Sequence, residues 1–340
     1  MSALAERLTA QLLAGPPAGD PLAVAERLLA IQAQDMRGAH LAVRARTSGV
    51  SLADIERALS EERSLLVTWL NRGTLHLVRS EDYWWLHQLT APRLQTANAR
   101  RLAQEGVTPD AAERGIAVIE RALADGPLER DRLRELVASA GVRTQGQAFV
   151  HLLGLASLRG LIVRGPILGG THAFVLVRDW LQGAGHVDRD RALAELTRRY
   201  LAGHGPATDR DLARWSGLAL RDARAGLQAI ASELAQREDS LVDLKHRAPA
   251  GPLPKPRLLG SFEPLLLGWS SREPILGPNE PRVVSGGIFR AFALVRGRAV
   301  GTWKLPRQHV QLELFDRLSP AEHDALEADA NDVTRFLINQ

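Results

Sequence analysis

The chain switches hydrophobic period in a recurring order, and that recurrence restricts its fold more than any other feature. Apolar residues fall at helical spacing over 21–31 and 36–47, and a third helix begins at Ser51. Asp20 and Asp35 stand as N-caps, Pro21 takes a first helical position, and Ser51 with Asp54 forms a capping-box pattern. The period then drops to that of strands over 65–70 and 74–78, around the turn Asn71-Arg72-Gly73. The same order returns as helices over 111–124, 130–140 and 145–158, then strands over 161–164 and 173–177 about a glycine-rich turn at 165–170. It returns again as helices over 189–202, 209–215 and 221–234, then a strand over 241–244. GPLERDRLRELV at 126–137 aligns with GPATDRDLARWS at 205–216, each placing a leucine six residues after its proline (Leu133, Leu212). An offset of 79 residues suits a repeated small domain. Three helices followed by a hairpin is the order of a winged helix.

A proline-rich linker at 248–257 closes the repeats. Beyond it, strands are predicted over 283–285, 287–295, 299–304 and 310–315, with a hairpin turning at Arg296-Gly297-Arg298 and a final helix over 319–337. The expected fold is mainly α with β, three tandem winged-helix domains followed by a C-terminal β-barrel. The expected segments are 1–100, 101–183, 184–250 and 251–340.

Composition excludes several function classes. With no cysteine, the chain has no disulfide, thiolate zinc site, iron–sulfur cluster or catalytic thiol. No apolar run approaches the roughly 18 residues of a membrane helix. Glu6 and Arg7 interrupt the apolar N-terminus, unlike a signal peptide, so a cytoplasmic protein is expected. Net charge is +4, and only three of the 43 basic residues are lysine (Lys245, Lys255, Lys304). Arginine bias follows from a GC-rich genome, and equally from phosphate recognition by guanidinium forks. Scarce lysine leaves few amines to form a Schiff base.

Gln32-Ala33-Gln34 falls at the break before the Asp35 cap. On a continuous helix these glutamines diverge, whereas in an extended segment both face one side. By residue type alone they are equally ordinary helix-end polar groups. Arg72, His76 and Arg79 lie on or beside the first hairpin, Arg164 and His172 flank the second, and Arg296 and Arg298 the C-terminal one. They read as DNA contacts, or as solvated turn residues and a packed histidine. No phosphate loop, nucleophile elbow or HExxH motif is present, and the histidines lack metal-ligand spacing, so neither metal nor cofactor is expected.

The order and spacing of Gln32-Ala33-Gln34, of Arg72-Gly-Thr-Leu-His76 and of Leu258-Leu-Gly-Ser-Phe-Glu-Pro-Leu-Leu-Leu-Gly-Trp269 resemble the AlkZ/YcaQ-like family of winged-helix DNA glycosylases, from about residue 15 to the end. The resemblance implies a concave channel for duplex DNA and a catalytic Gln–apolar–Gln motif, matched here by Gln32 and Gln34 and distinct from the Gln–x–Asp of the other branch. It implies a monofunctional glycosylase of bulky N7-alkylguanine, with interstrand crosslinks as candidate substrates and self-resistance to a DNA-alkylating natural product as a candidate role. The expected partner is double-stranded DNA containing alkylated guanine, contacted by Arg37 and the residues above, and the expected state is a monomer. The alternative is a non-catalytic winged-helix transcriptional regulator, which has no use for two amides at a helix break.

Overall fold

The caps read from the sequence start the helices. The carboxylate of Asp20 accepts the Ala23 amide at 2.8 Å ahead of α2 (Pro21–Leu28), which follows α1 (Ala3–Ala10). After β1 (Ile31–Gln32), Asp35 caps α3 (Met36–Arg44). Ser51 and Asp54 close a reciprocal capping box at α4 (Leu52–Ser60). Then come β2 (Leu65–Leu70), β3 (Thr74–Arg79) and the long α5 (Tyr83–Gln104). The next run is α6 (Pro109–Leu123), α7 (Arg130–Ser139), α8 (Ala148–Leu158), β4 (Ile162–Leu168), β5 (Thr171–Leu176) and α9 (Val177–Trp180). It is followed by α10 (Arg189–His204), α11 (Asp209–Ser216), α12 (Leu220–Ala229), β6 (Leu234–Gln236) and β7 (Val242–Leu244). The structure, a computed structural model, describes residues 3–338 apart from 184, 186 and 238.

The chain divides into two compact units, one of Met1–Ile55 with Leu193–Gln340 and one of Glu56–Ala192. In the second unit β3, β2, β4 and β5 lie in that order, and the ladders β2–β3, β2–β4 and β4–β5 are antiparallel. Leu133, Phe149, Leu152, Ile162 and Phe174 form the centre of a core that gathers α6, α7, α8 and the inner face of β4 and β5. Such burial stabilises by about 25 cal/mol per Å² of apolar surface. The glycine-rich turn is tighter than the sequence suggests. β4 runs on to Leu168, and only Gly169 and Gly170, both at positive φ, make the reversal.

In the first unit the C-terminal part starts with β8 (Arg257–Leu259) and three short helices, α13 (Pro264–Leu267), α14 (Glu273–Leu276) and α15 (Glu280–Val283). β9 (Val284–Ser285) pairs with β10 (Ile288–Phe289). β11 (Phe292–Val295), β12 (Arg298–Lys304) and β13 (Gln311–Leu314) precede α16 (Pro320–Ile338). The expected β-barrel is corrected here: among the described residues the strands form an open antiparallel sheet in the order β13–β12–β11–β8. These few strands, of three to seven residues, are too few to close a barrel. The β8 edge is covered by a helix instead, because Asp329 of α16 accepts the Leu258 amide at 2.7 Å. The fold is mixed α and β.

Candidate active site

The segment that carries the two glutamines is extended because the chain leaves helical geometry abruptly. Leu29, the residue after α2, has φ +63°, and its amide closes on the Ala25 carbonyl at 2.9 Å. The chain then runs through β1 until Asp35, whose Oδ1 accepts the Arg37 amide at 3.1 Å and begins α3. β1 ends at Gln32, and the chain bends at 34–35 before α3. Gln32 and Gln34 meet: Gln32 Nε2 donates to Gln34 Oε1 at 2.5 Å. Gln32 is 5% exposed, Ala33 is buried, and Gln34 is open to solvent. The small middle residue lets the backbone sit in the core while the amides join at its rim.

Asp35 has a second tie. Its Oδ2 accepts the Ser261 hydroxyl, from the segment that leaves β8. Two residues on, Glu263 forms a fully buried ion pair with Arg46 at 2.5 Å. Arg46 also donates to the Gln11 carbonyl and side chain and to the Ala42 carbonyl. The Leu258–Trp269 stretch thus braces both ends of α3. Its last residue, Trp269, donates from Nε1 to the His204 carbonyl at 2.9 Å. No period or spacing in the sequence marks a role for Asp35 beyond its cap, or any for Ser261, Glu263 or Arg46.

The expected DNA contacts fare differently. Arg37 is exposed on the first turn of α3 beside a cavity of about 250 Å³ lined by His40, Leu52, Leu305 and Gln308. Arg72 sits half-buried in the first hairpin turn. His76 is 3% exposed, its Nδ1 lies 2.9 Å from the Thr74 carbonyl, and burial together with the Arg72 charge lowers its pKa to about 3. The ring is neutral at physiological pH, so it supplies no charge to a phosphate, and the charges of this hairpin are those of Arg72 and Arg79. Arg79 is paired with Glu81 at 2.6 Å and Asp82 at 2.9 Å.

Arg164 lies over the rings of Phe174 (5.0 Å) and Trp69 (5.4 Å), and its buried Nε meets no hydrogen-bond partner among the described residues. Burial, with Arg130 adding to it, lowers its pKa to about 10. His172 is lowered to about 4 by burial and then by Arg164. Arg296 pairs with Glu322 at 2.7 Å while remaining 74% exposed, and Arg298 is exposed. Between them Gly297 is buried against α1, where a Cβ would come 2.9 Å from Leu8. This turn is seated on the protein rather than projecting from it.

Among the described residues one exposed group, His323, Asp324 and Glu327 on α16, brings metal-ligand atom types within 4.8 Å of one another, well apart in sequence from the glutamines. No helix among the described residues is long and apolar enough to cross a membrane.

The AlkZ-like DNA glycosylase family matches residues 25–336. The chain is 28% identical over 346 residues to the interstrand DNA cross-link repair glycosylase of Streptomyces sahachiroi, covering 94% of this chain and 91% of that protein. It is also similar to the solved structure of the DNA glycosylase AlkZ from Streptomyces sahachiroi, with a TM-score of 0.78, 25% identity and coverage of 98% and 95% of the two chains. With the family match spanning almost the whole chain, the enzyme displaces the regulator: the protein belongs to the AlkZ-like DNA glycosylase family.

Proposed function

We propose that the enzyme hydrolyses the N-glycosidic bond of bulky N7-alkylguanine in duplex DNA, using Gln32 and Gln34 to orient the attacking water. The observation that carries this reading is the amide pair itself, joined at 2.5 Å where one helix ends and the next begins. Alkylation at N7 makes the base cationic, so it departs neutral and needs no strong acid to protonate it. What remains is to place water beneath C1′ and to favour the oxocarbenium-like sugar. An amide carbonyl accepts a hydrogen bond from water but is a poor base, so its contribution is orientation. The reaction leaves an abasic site and free base, without a covalent enzyme intermediate.

In this reading the three helix-and-hairpin runs act as winged helices, in segments 1–100, 101–183 and 184–250, with 251–340 as the C-terminal part. Arg37 and Arg298, both exposed, are the contacts whose charge is best placed for phosphate, and Arg72 and Arg164 are half-buried beside their hairpins. Arg79 and Arg296 must exchange a carboxylate for one. His76 and His172, held neutral, support the hairpins beside them. The relative named for crosslink repair makes guanine-linked interstrand crosslinks a natural substrate, and self-resistance to an alkylating natural product a natural role. The working form is a monomer in the compartment that holds the DNA.

The test is single-turnover release from a duplex carrying a nitrogen-mustard adduct at guanine N7. Gln32→Ala and Gln34→Ala should each lose about 10²–10⁴-fold in release rate while keeping their melting temperature and duplex affinity. Full activity in the double variant would remove the assignment. Borohydride treatment should trap no protein–DNA adduct, whereas an amine nucleophile would give one.

A further inference from the structure

The Leu258–Trp269 stretch has no reacting group, yet it is built against the segment that carries the glutamines. Gly260 and Gly38 approach so closely that a Cβ on Gly260 would lie 2.9 Å from the Gly38 Cα and 3.0 Å from its carbonyl oxygen. A Cβ on Gly38 would overlap the Ser261 carbonyl oxygen. Backbone therefore packs on backbone at the first turn of α3, and only glycine permits it at either position. Into this contact Ser261 sends its hydroxyl to Asp35 Oδ2, while Oδ1 of the same carboxylate holds the Arg37 amide. Two residues further, the fully buried Glu263–Arg46 pair fixes the same stretch to the far end of α3.

We propose that Ser261 is a positioning residue for the Gln32–Gln34 pair, acting through Asp35 to fix where the extended segment ends and α3 begins. This inference rests on the assignment of the two glutamines made above. The side chain of Gln34 is exposed, so packing does not hold its amide. Its orientation comes from the bond to Gln32 and from the backbone of the residue that follows, Asp35. A carboxylate that only capped α3 would be free to turn. The second bond, from a separate part of the chain, locks its plane and with it the Gln34–Asp35 peptide. Sub-ångström placement of a water is where an orienting group has its effect, and a misplacement near 1 Å costs about 10²-fold.

Two variants test this with little risk to folding. Ser261→Ala removes the hydroxyl alone. Asp35→Asn keeps a good N-cap while replacing the carboxylate oxygen that receives the serine. Each should lower single-turnover release from a duplex bearing a nitrogen-mustard adduct at guanine N7 by about 10- to 100-fold. Affinity for that duplex should stay at the wild-type value. In a Gln34→Ala background, Ser261→Ala should cost nothing further, because the group it positions is gone. Hydrogen exchange of the amides at 34–38 should be faster in Ser261→Ala. A wild-type release rate in Ser261→Ala, an equal loss with and without Gln34, or unchanged exchange at 34–38 would each overturn the inference. A wild-type enzyme that releases nothing would instead overturn the glycosylase-site assignment, with the exchange data still deciding whether Ser261 holds the turn.

Discussion

Histidine rings in both units are held neutral by burial. His76 and His204 are each lowered to about 3, and His172 to about 4. For His204 burial dominates, Arg46 and Arg247 add to it, and a bond to the Tyr200 carbonyl opposes it. Its ring stacks on Tyr200 with centroids 4.9 Å apart and lies 5.1 Å from that of Trp215, a setting that favours an uncharged imidazole. In the unfolded chain these rings take up protons near pH 6.5. Below that pH the unfolded state binds more protons than the folded one, so their stabilising contribution is present above about 6.5 and declines as pH falls toward 3 to 4. The melting temperature should accordingly drop between pH 7 and pH 4. His204→Gln, though less stable at pH 7, should show a shallower drop, and an identical slope would show that this ring does not titrate. The glutamines behave differently, because they touch each other. If the pair holds one water, as proposed, the Gln32/Gln34 double variant should release base about as slowly as the poorer single variant, because groups acting as a unit are not additive. Multiplying losses in single-turnover rates would assign them separate tasks.

At the scale of elements, two aspartates do the same local work, and among the described residues only Asp35 is tied to a second segment. Asp20 caps α2 through the Ala23 amide and is exposed. Asp20→Ala should therefore lower stability by about 1 kcal/mol, read by denaturant melting, and leave the release rate at the wild-type value. A loss of release would mean that α2 transmits its position to the glutamines. Helix starts were largely legible because caps are local: Asp20, Asp35 and Ser51 each sit beside the period they initiate. Short elements were less so. The sequence shows one strand period after the third helix set and a helical period on to 234, whereas α12 stops at Ala229 and β6 pairs with β7 to complete a hairpin. Three residues of strand are too few to show a period. α13, α14 and α15 were likewise unread, being single turns started by Pro264, Pro274 and Pro281.

For the whole molecule, the arginine excess has a measurable consequence. If it reflects phosphate recognition, affinity for undamaged duplex should fall by about 10³–10⁵ between roughly 50 and 200 mM salt. A fluorescence-anisotropy titration with a flat salt response would leave genomic composition as the source of the bias. Many arginines are already engaged. Arg44 lies between Asp329 and Asp332 at 2.6 Å each, and Arg198 joins Glu195 and Glu233. The salt slope should consequently report far fewer phosphates than the arginine count of the chain.

The sequence by itself determined the periods, the caps, the helix-and-hairpin order of the first two runs and the Gln32-Ala33-Gln34 break, because each is written within a few neighbouring residues. Tertiary structure decided which of the named side chains are available. Arg79 and Arg296 acquired carboxylate partners, His76 lost its exposure, and the C-terminal strands stayed an open sheet with α16 bonded to β8 at one edge. It also brought Ser261 to Asp35 across 226 residues of chain. A hydroxyl, a carboxylate and two glycines so far apart share no period or spacing. Only the packing of one segment on another makes them a single device.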